Sequence, residues 1–172
     1  ENTATKRLLL KYGSYYKEQN AIILGDDLYA VDPVCKAVLA QELDFIFVCK
    51  PTDHKVLYAQ LDSLSKEIQC VKETAADGST IECRFINKVN LTGNKDATKV
   101  NWVEITVIDA TGKQTYYNAF VTSLEITKEN AVEIAKCGRA RWKIENETFN
   151  TLKNHGYDLE HNYGHGKENL SN

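Results

Sequence analysis

Two acidic sites in this sequence could perform metal-ion chemistry. Asp26 and Asp27 directly follow a short apolar run, and Glu145 lies far along the chain with Arg141 four residues before it. Carboxylates brought together from a strand end and a helix suit Mg²⁺ or Mn²⁺, because these ions prefer oxygen ligands. Two such ions can clamp the attacking and leaving oxygens of a phosphodiester during an in-line displacement.

Glu145 is unusual because it is a charge centred on an apolar helix face. Segment 138–153 predicts an amphipathic helix at about 100° per residue. Its apolar stripe would contain Trp142, Phe149 and Leu152. Desolvating an ionised group costs several kcal/mol, so a bound partner must offset the free energy of burying the Glu145 carboxylate. Arg141, a metal ion or both could do so, and a purely structural Arg141–Glu145 pair stays open, as does a role for Asp26 or Asp27 as a solvated loop residue.

The elements that would position these carboxylates begin with a βαβ unit. Asp32 is a good helix N-cap and Pro33 a good first helical residue. A strand, a helix and a strand at this spacing predict a βαβ unit with two parallel strands. The predicted helices are 1–17, 32–42 and 54–65, and the predicted strands are 20–25 and 44–49.

From residue 67 onward the sequence pattern changes to alternating polar and apolar residues. Segment 67–125 predicts about four antiparallel strands, with hairpin turns at Asp77-Gly78 and Thr111-Gly112. Thr127 is a plausible N-cap for a helix over 128–137, after which the helix over 138–153 begins. We therefore expect an α/β (α+β) fold with the boundaries 1–66 for the α/β part, 67–126 for a β insertion and 127–172 for the helix pair and a C-terminal loop.

Composition narrows the class of protein. The chain has 172 residues, 42% hydrophobic residues and a net charge of -3. No apolar run is long enough for a membrane span, and no signal peptide is evident. Five scattered cysteines without a CxxC pair indicate reduced thiols in a cytosol. The net charge argues against non-specific coating of DNA, so any DNA contact should be a local basic strip.

The segment GRARWKIENETFNTLKNHGYDLEHNYGHGK resembles the C-terminal signature of DDE-type insertion-sequence transposases, in the branch with a Tyr-Arg-Glu-Lys signature. The string from Arg141 to Glu145 resembles that family's Arg-Trp-basic-Ile-Glu motif, and NAIILGDDLYA is similar to the segment around its second catalytic Asp. The resemblance covers nearly the whole chain. It implies a ribonuclease-H-like fold with a β insertion before the catalytic helix.

The resemblance also implies residue roles. Asp26, with Asp27 as second choice, and Glu145 would be catalytic, and Asp26 and Glu145 would hold Mg²⁺ or Mn²⁺. DNA-binding or supporting residues would be Arg141, Lys153, Arg139 and Lys143. The expected partners are transposon-end and target DNA, with self-association on DNA and no membrane. The expected location is the prokaryotic cytosol or nucleoid.

The sequence departs from the family pattern at three points. Gly138 stands where the signature has Tyr, and Leu152 stands where it has Lys, with Lys153 one residue later. The family's first catalytic Asp lies upstream of the helix that opens this sequence. We therefore expect a fragment that is inactive by itself, with an exposed sheet edge that favours association. A non-catalytic, DNA-binding remnant and a metal-dependent nuclease on the same fold are the alternatives.

Overall fold

The computed structural model describes residues 2–143, 147 and 150–154 of a mixed α+β protein. The chain divides into two compact units, unit 1 (residues 1–138) and unit 2 (residues 139–172). The helices are α1 (Asn2–Glu18), α2 (Asp32–Leu39), α3 (Lys55–Ser63), α4 (Ala131–Lys143) and α5 (Asn150–Asn154), with a 3₁₀ helix at Asp27–Tyr29. The strands are β1 (Ile22–Gly25), β2 (Asp44–Val48), β3 (Gln69–Thr74), β4 (Thr80–Asn90), β5 (Lys99–Ile108) and β6 (Gln114–Thr122). Within these ranges, no helix combines the length and apolar character needed to cross a membrane.

All six strands lie in one mixed sheet with the order β1-β2-β6-β5-β4-β3. β1 and β2 are parallel, and every other neighbouring pair is antiparallel. The predicted βαβ unit and the predicted four antiparallel strands are therefore confirmed. The antiparallel strands β3–β6 continue the same sheet, because β6 pairs with β2. The predicted domain boundaries at residues 66/67 and 126/127 stay a prediction.

The strand β2 forms the centre of unit 1 because both of its faces are apolar. Phe45 and Phe47 pack with α1, α2 and α3 in one core cluster. Ile46 and Val48 belong to a second cluster with the buried side of α4. A continuous run of apolar residues is typical of a strand covered on both faces. The second cluster includes Phe120 of β6, which is fully buried.

Asp32 does not cap α2 as the sequence suggested. The residue at the N-cap position is Val31, which makes no side-chain cap. The Asp32 carboxylate instead accepts hydrogen bonds of 2.7 Å from the Thr92 hydroxyl and 2.7 Å from the Thr98 backbone N–H. It therefore fixes the loop between β4 and β5, while Pro33 still stands in the first turn of α2.

The predicted helix boundary at Gly138 is wrong, because α4 continues through it from Ala131 to Lys143. A Cβ atom at Gly138 would lie 2.7 Å from the Phe120 ring and 3.0 Å from Ile46. Glycine is thus required by the close approach of α4 to the sheet rather than by a helix end. The assigned helix begins at Ala131 rather than at residue 128. Thr127 forms the turn that leads into it, because its N–H donates to the Asn130 side chain at 2.8 Å and its carbonyl accepts from the Ala131 N–H at 3.0 Å.

Candidate functional site

The carboxyl ends of β1 and β2 lie side by side and carry the polar residues of the site. The two strands are in parallel register from Ile22 opposite Asp44 to Gly25 opposite Phe47. Asp26 and Asp27 follow β1 directly. In α/β sheets, ligands bind in the crevice outside the carboxyl ends of parallel strands. This edge of the sheet is therefore the candidate functional site.

Gly25 lets the chain turn tightly into the site. A Cβ atom at this position would lie 2.8 Å from the Phe47 ring and 2.9 Å from Cβ of Tyr29. Real Cβ atoms do not approach other heavy atoms so closely, so only glycine allows β1 to pack this closely against β2 and the 3₁₀ helix. The position of Asp26 depends on this packing, because Asp26 is the next residue.

Asp26 is half-buried and caps the 3₁₀ helix. Its Oδ1 accepts a hydrogen bond of 3.0 Å from the Leu28 backbone N–H. No hydrogen bond to Oδ2 is found in the described part of the chain, so this oxygen has capacity to bind a ligand.

Asp27 has a different environment from its neighbour. Its Oδ1 accepts a hydrogen bond of 2.6 Å from the backbone N–H of Lys50, two residues after the end of β2. The same oxygen lies 3.2 Å from Nε2 of His54, and the two side chains are 13% and 9% exposed. Asp27 thus ties the ends of the two parallel strands together.

Asp53 is a third aspartate at this edge of the sheet. Neither Asp53 nor His54 was predicted from the sequence to be a site residue. It accepts a hydrogen bond of 2.8 Å from the Thr52 hydroxyl. That bond and one with the Asp27 side chain hold the pKa of Asp53 below its ordinary value. The available signal was the polar string Thr-Asp-His after the second predicted strand, because parallel strands end at the same edge of a sheet.

A cavity of about 480 Å³ adjoins this cluster. Thr52, Asp53 and His54 line one part of it, and Leu91 and Thr92 of the loop after β4 line another. The Asp32 hydrogen bonds hold that loop in place. The cavity opens to solvent, so water and small ions can reach the residues that line it.

The buried thiols do not supply a nucleophile. Burial, with a smaller contribution from Asp32, raises the pKa of Cys35 to about 12. Burial also raises the pKa of Cys83 to about 12, and it raises the pKa of Cys49 as well. Because the thiolate is the reactive form of cysteine, these three residues are core groups.

Glu145 lies outside the described residues. The basic residues predicted to surround it belong mostly to the end of α4: Arg139 and Lys143 are exposed, and Arg141 is half-buried. Lys153, in α5, is exposed.

Trp142, expected on a buried stripe, is 54% exposed. In the same unit the Thr151 hydroxyl donates a hydrogen bond of 2.6 Å to the Glu147 carbonyl.

Metal-ligand geometry is incomplete in the ranges that the structure covers. No group of three or more His, Cys, Asp and Glu side chains there is arranged to hold a metal ion.

Comparison with known proteins gives no family for this chain. A scan against protein-family models finds no matching family. A search of the curated proteins finds no significant match.

Proposed function

We propose that this chain is a portion of a DDE transposase, which cleaves DNA at transposon ends and joins the 3′ ends to target DNA. The observation that carries the proposal is Asp26, a half-buried carboxylate at the end of a parallel strand with Oδ2 unbonded in the described part of the chain. The reaction itself is inferred from the resemblance of the segments around Asp26 and Glu145 to that family.

The proposed fold is ribonuclease-H-like. Three features support it: the parallel pair β1 and β2 joined through α2, the antiparallel strands that follow, and the long helix α4 after them. In this fold β1 would end at the second catalytic Asp, and α4 would lead into the segment that carries Glu145. The outer edge of β1, which pairs with no described strand, would then receive further strands of the sheet.

Asp26 and Glu145 would act as ligands of Mg²⁺ or Mn²⁺. The side chains suit these ions because both supply carboxylate oxygen. When bound, two such ions activate the attacking oxygen and neutralise the leaving oxygen of the phosphodiester. Asp27 would position Asp26 from the next residue by holding the end of β1 to Lys50.

The basic residues at the end of α4 would contact the DNA backbone. Arg139, Arg141 and Lys143 occur within five residues, close in sequence to Glu145. Lys and Arg bind phosphate oxygens and so fix the register of a duplex on a protein without reading its sequence. Lys153 would belong to the same local basic strip.

A strand-transfer assay on terminal inverted repeats with Mg²⁺ tests the function in the full protein that contains this chain. Asp26→Asn and Glu145→Gln should each lower cleavage and joining at least about 1000-fold, because each removes a charged metal ligand worth several kcal/mol at the transition state. Asp62→Asn, an exposed carboxylate at the far end of α3, is the matched control and should retain activity.

Two results would count against the proposal. Cleavage without joining by the unaltered protein would favour a metal-dependent nuclease. Specific binding of repeat DNA with no cleavage in Mg²⁺ or Mn²⁺ would favour a non-catalytic remnant.

A further inference from the structure

The imidazole of His54 is buried without a hydrogen-bond partner for Nε2. Its side chain is 9% exposed, and Nε2 is inaccessible to solvent. Asp27 Oδ1 lies 3.2 Å away, but the contact does not have hydrogen-bond geometry in the described part of the chain. A buried polar atom without a partner costs about 1–3 kcal/mol. The arrangement therefore calls for something that satisfies Nε2 and Asp27 together.

The surroundings of this pair favour a cation. The carboxyl groups of Asp27 and Asp53 interact directly with each other. Two neighbouring carboxylates repel unless a proton or a positive ion lies between them. Asp53 is exposed, and besides its interaction with Asp27 its carboxylate accepts a hydrogen bond from the Thr52 hydroxyl, so its side chain can turn further toward Asp27 at low cost.

The distance between the two buried donors fits a shared metal ion. Imidazole nitrogen and carboxylate oxygen bind Zn²⁺ at about 2.0–2.2 Å. Two donors at these bond lengths and 3.2 Å apart subtend about 100° at the ion, between the octahedral and tetrahedral values. A carboxylate oxygen has lone pairs for both an ion and an N–H, so Lys50 need not be displaced.

We propose that His54 Nε2, Asp27 Oδ1 and the Asp53 carboxylate bind a divalent transition-metal ion of the Zn²⁺ or Mn²⁺ type. A mixed nitrogen and oxygen ligand set favours such an ion over Mg²⁺, which prefers oxygen alone. Rotation of Asp53 from Thr52 completes the set, which is why three donors are not already arranged around one point. Water from the cavity that Asp53 and His54 line fills the remaining positions.

This site is separate from Asp26 and does not rest on the proposed transposase activity. It holds the end of β1, through Asp27, to the start of α3, through His54. A bound ion would therefore stabilise the edge of the sheet from which Asp26 projects. The loss of this ion would leave both Asp26 and Glu145 chemically unchanged.

The test is Zn²⁺ binding to this chain, followed by NMR of the histidine ring nitrogens. Because His155, His161 and His165 could also bind zinc, the three are first replaced by Gln. One equivalent of Zn²⁺ should shift the Nε2 resonance of His54 to the metal-bound range. Calorimetry should give one site, with affinity lowered at least about tenfold in Asp53→Asn, since even losing an outer partner of a ligand costs about that much.

Two further variants make the result decisive. Asp26→Asn in the same background should keep Zn²⁺ affinity within about twofold, whereas His54→Gln should abolish the site; circular dichroism shows whether the latter folds. The proposal is overturned if excess Zn²⁺ leaves the His54 Nε2 resonance unmoved, or if Asp53→Asn binds as tightly as the parent. Loss of binding in Asp26→Asn alone would also overturn it, because the ion would then belong to Asp26.

Discussion

Asp32 is a buried carboxylate whose two oxygens hold the loop between β4 and β5. Thr92 and Thr98 donate one short hydrogen bond to each oxygen. Burial alone would raise the pKa of Asp32, but these hydrogen bonds outweigh it, with help from the charge of Lys36, and the net pKa is lowered. The ionised form is therefore the one that stabilises the fold.

Replacing Asp32 by Asn should cost about 1.5–3 kcal/mol of unfolding free energy at neutral pH, the usual range for a hydrogen bond to a charged group. The folded-state pKa lies below the unfolded value of about 3.9. This stabilisation is fully present above the unfolded pKa and is lost as the pH falls through the folded pKa. Urea unfolding of both proteins from pH 7 to pH 2.5 should show the difference shrink below about pH 4.

Asp96→Asn is the matched control on the same loop. Asp96 forms an exposed ion pair with Lys36 at 3.0 Å. Such pairs are worth about 0–1 kcal/mol. A cost for Asp96→Asn equal to that of Asp32→Asn would show that general loop charge, rather than the buried carboxylate, provides the stability.

The site residues could be predicted from the sequence only where a local pattern marked them. Asp26 and Asp27 were found because they directly follow an apolar run. His54 was missed because its contact with Asp27 joins residues 27 positions apart along the chain. That contact depends on the register of β1 against β2, and no local spacing encodes it. For the same reason Asp32 was read as a local cap although its partners lie 60 and 66 residues away.

The strand β1 positions Asp26 through its last residue, Gly25. Gly25→Ala should destabilise the fold by about 1–3 kcal/mol, the usual cost of overpacking, because the new methyl group meets Phe47 and Tyr29. Thermal unfolding measures the cost. In the proposed transposase the same variant should also lower cleavage, because relief of the clash moves Asp26.

Gly93→Ala provides the control for this prediction. Its Cβ would find only Val56, at an ordinary contact distance of 3.6 Å. Removing a glycine where space allows restricts the unfolded chain and stabilises by about 0.4–1 kcal/mol. If Gly25→Ala were equally tolerated, the close packing of β1 would not be what fixes Asp26.

The helix α4 shows where a strong sequence signal was misread. The predicted boundary between the helices 128–137 and 138–153 fell at Gly138, and glycine within a helix costs about 1 kcal/mol. In the structure the helix continues, because Gly138 faces Phe120 at a point where no side chain fits. The same residue pattern thus has two physical origins, and only the position of β6 distinguishes them.

At the scale of the whole molecule, the sheet joins parallel and antiparallel parts through the pair β2 and β6. Val48 lies opposite Phe120, although 72 residues separate them. Strand types and the hairpins β3–β4 and β5–β6 were predictable, because alternation and turn residues are local. The pairing of β2 with β6 was not predictable, because the residue pattern of a strand does not determine which strand lies beside it.

The two edges of the sheet differ in their protection. β3 forms one edge and carries exposed charged residues, among them Lys72 and Glu73. β1 forms the other, and no strand in the described ranges pairs with its outer side. Charges on an edge strand discourage pairing with another chain, and an apolar edge invites it. Self-association of this chain should therefore occur through β1.

Ile22→Lys should weaken that association. Ile22 begins β1 and is 40% exposed, so lysine can reach water there without disturbing the core. Sedimentation velocity across a range of protein concentrations should show a mass that rises for the parent chain and rises less for Ile22→Lys. Thr74→Lys places the same charge at the end of the opposite edge strand and should leave the association unchanged. If both variants reduced association equally, net charge rather than the β1 edge would be its cause; if neither did, the contact would lie elsewhere on the chain.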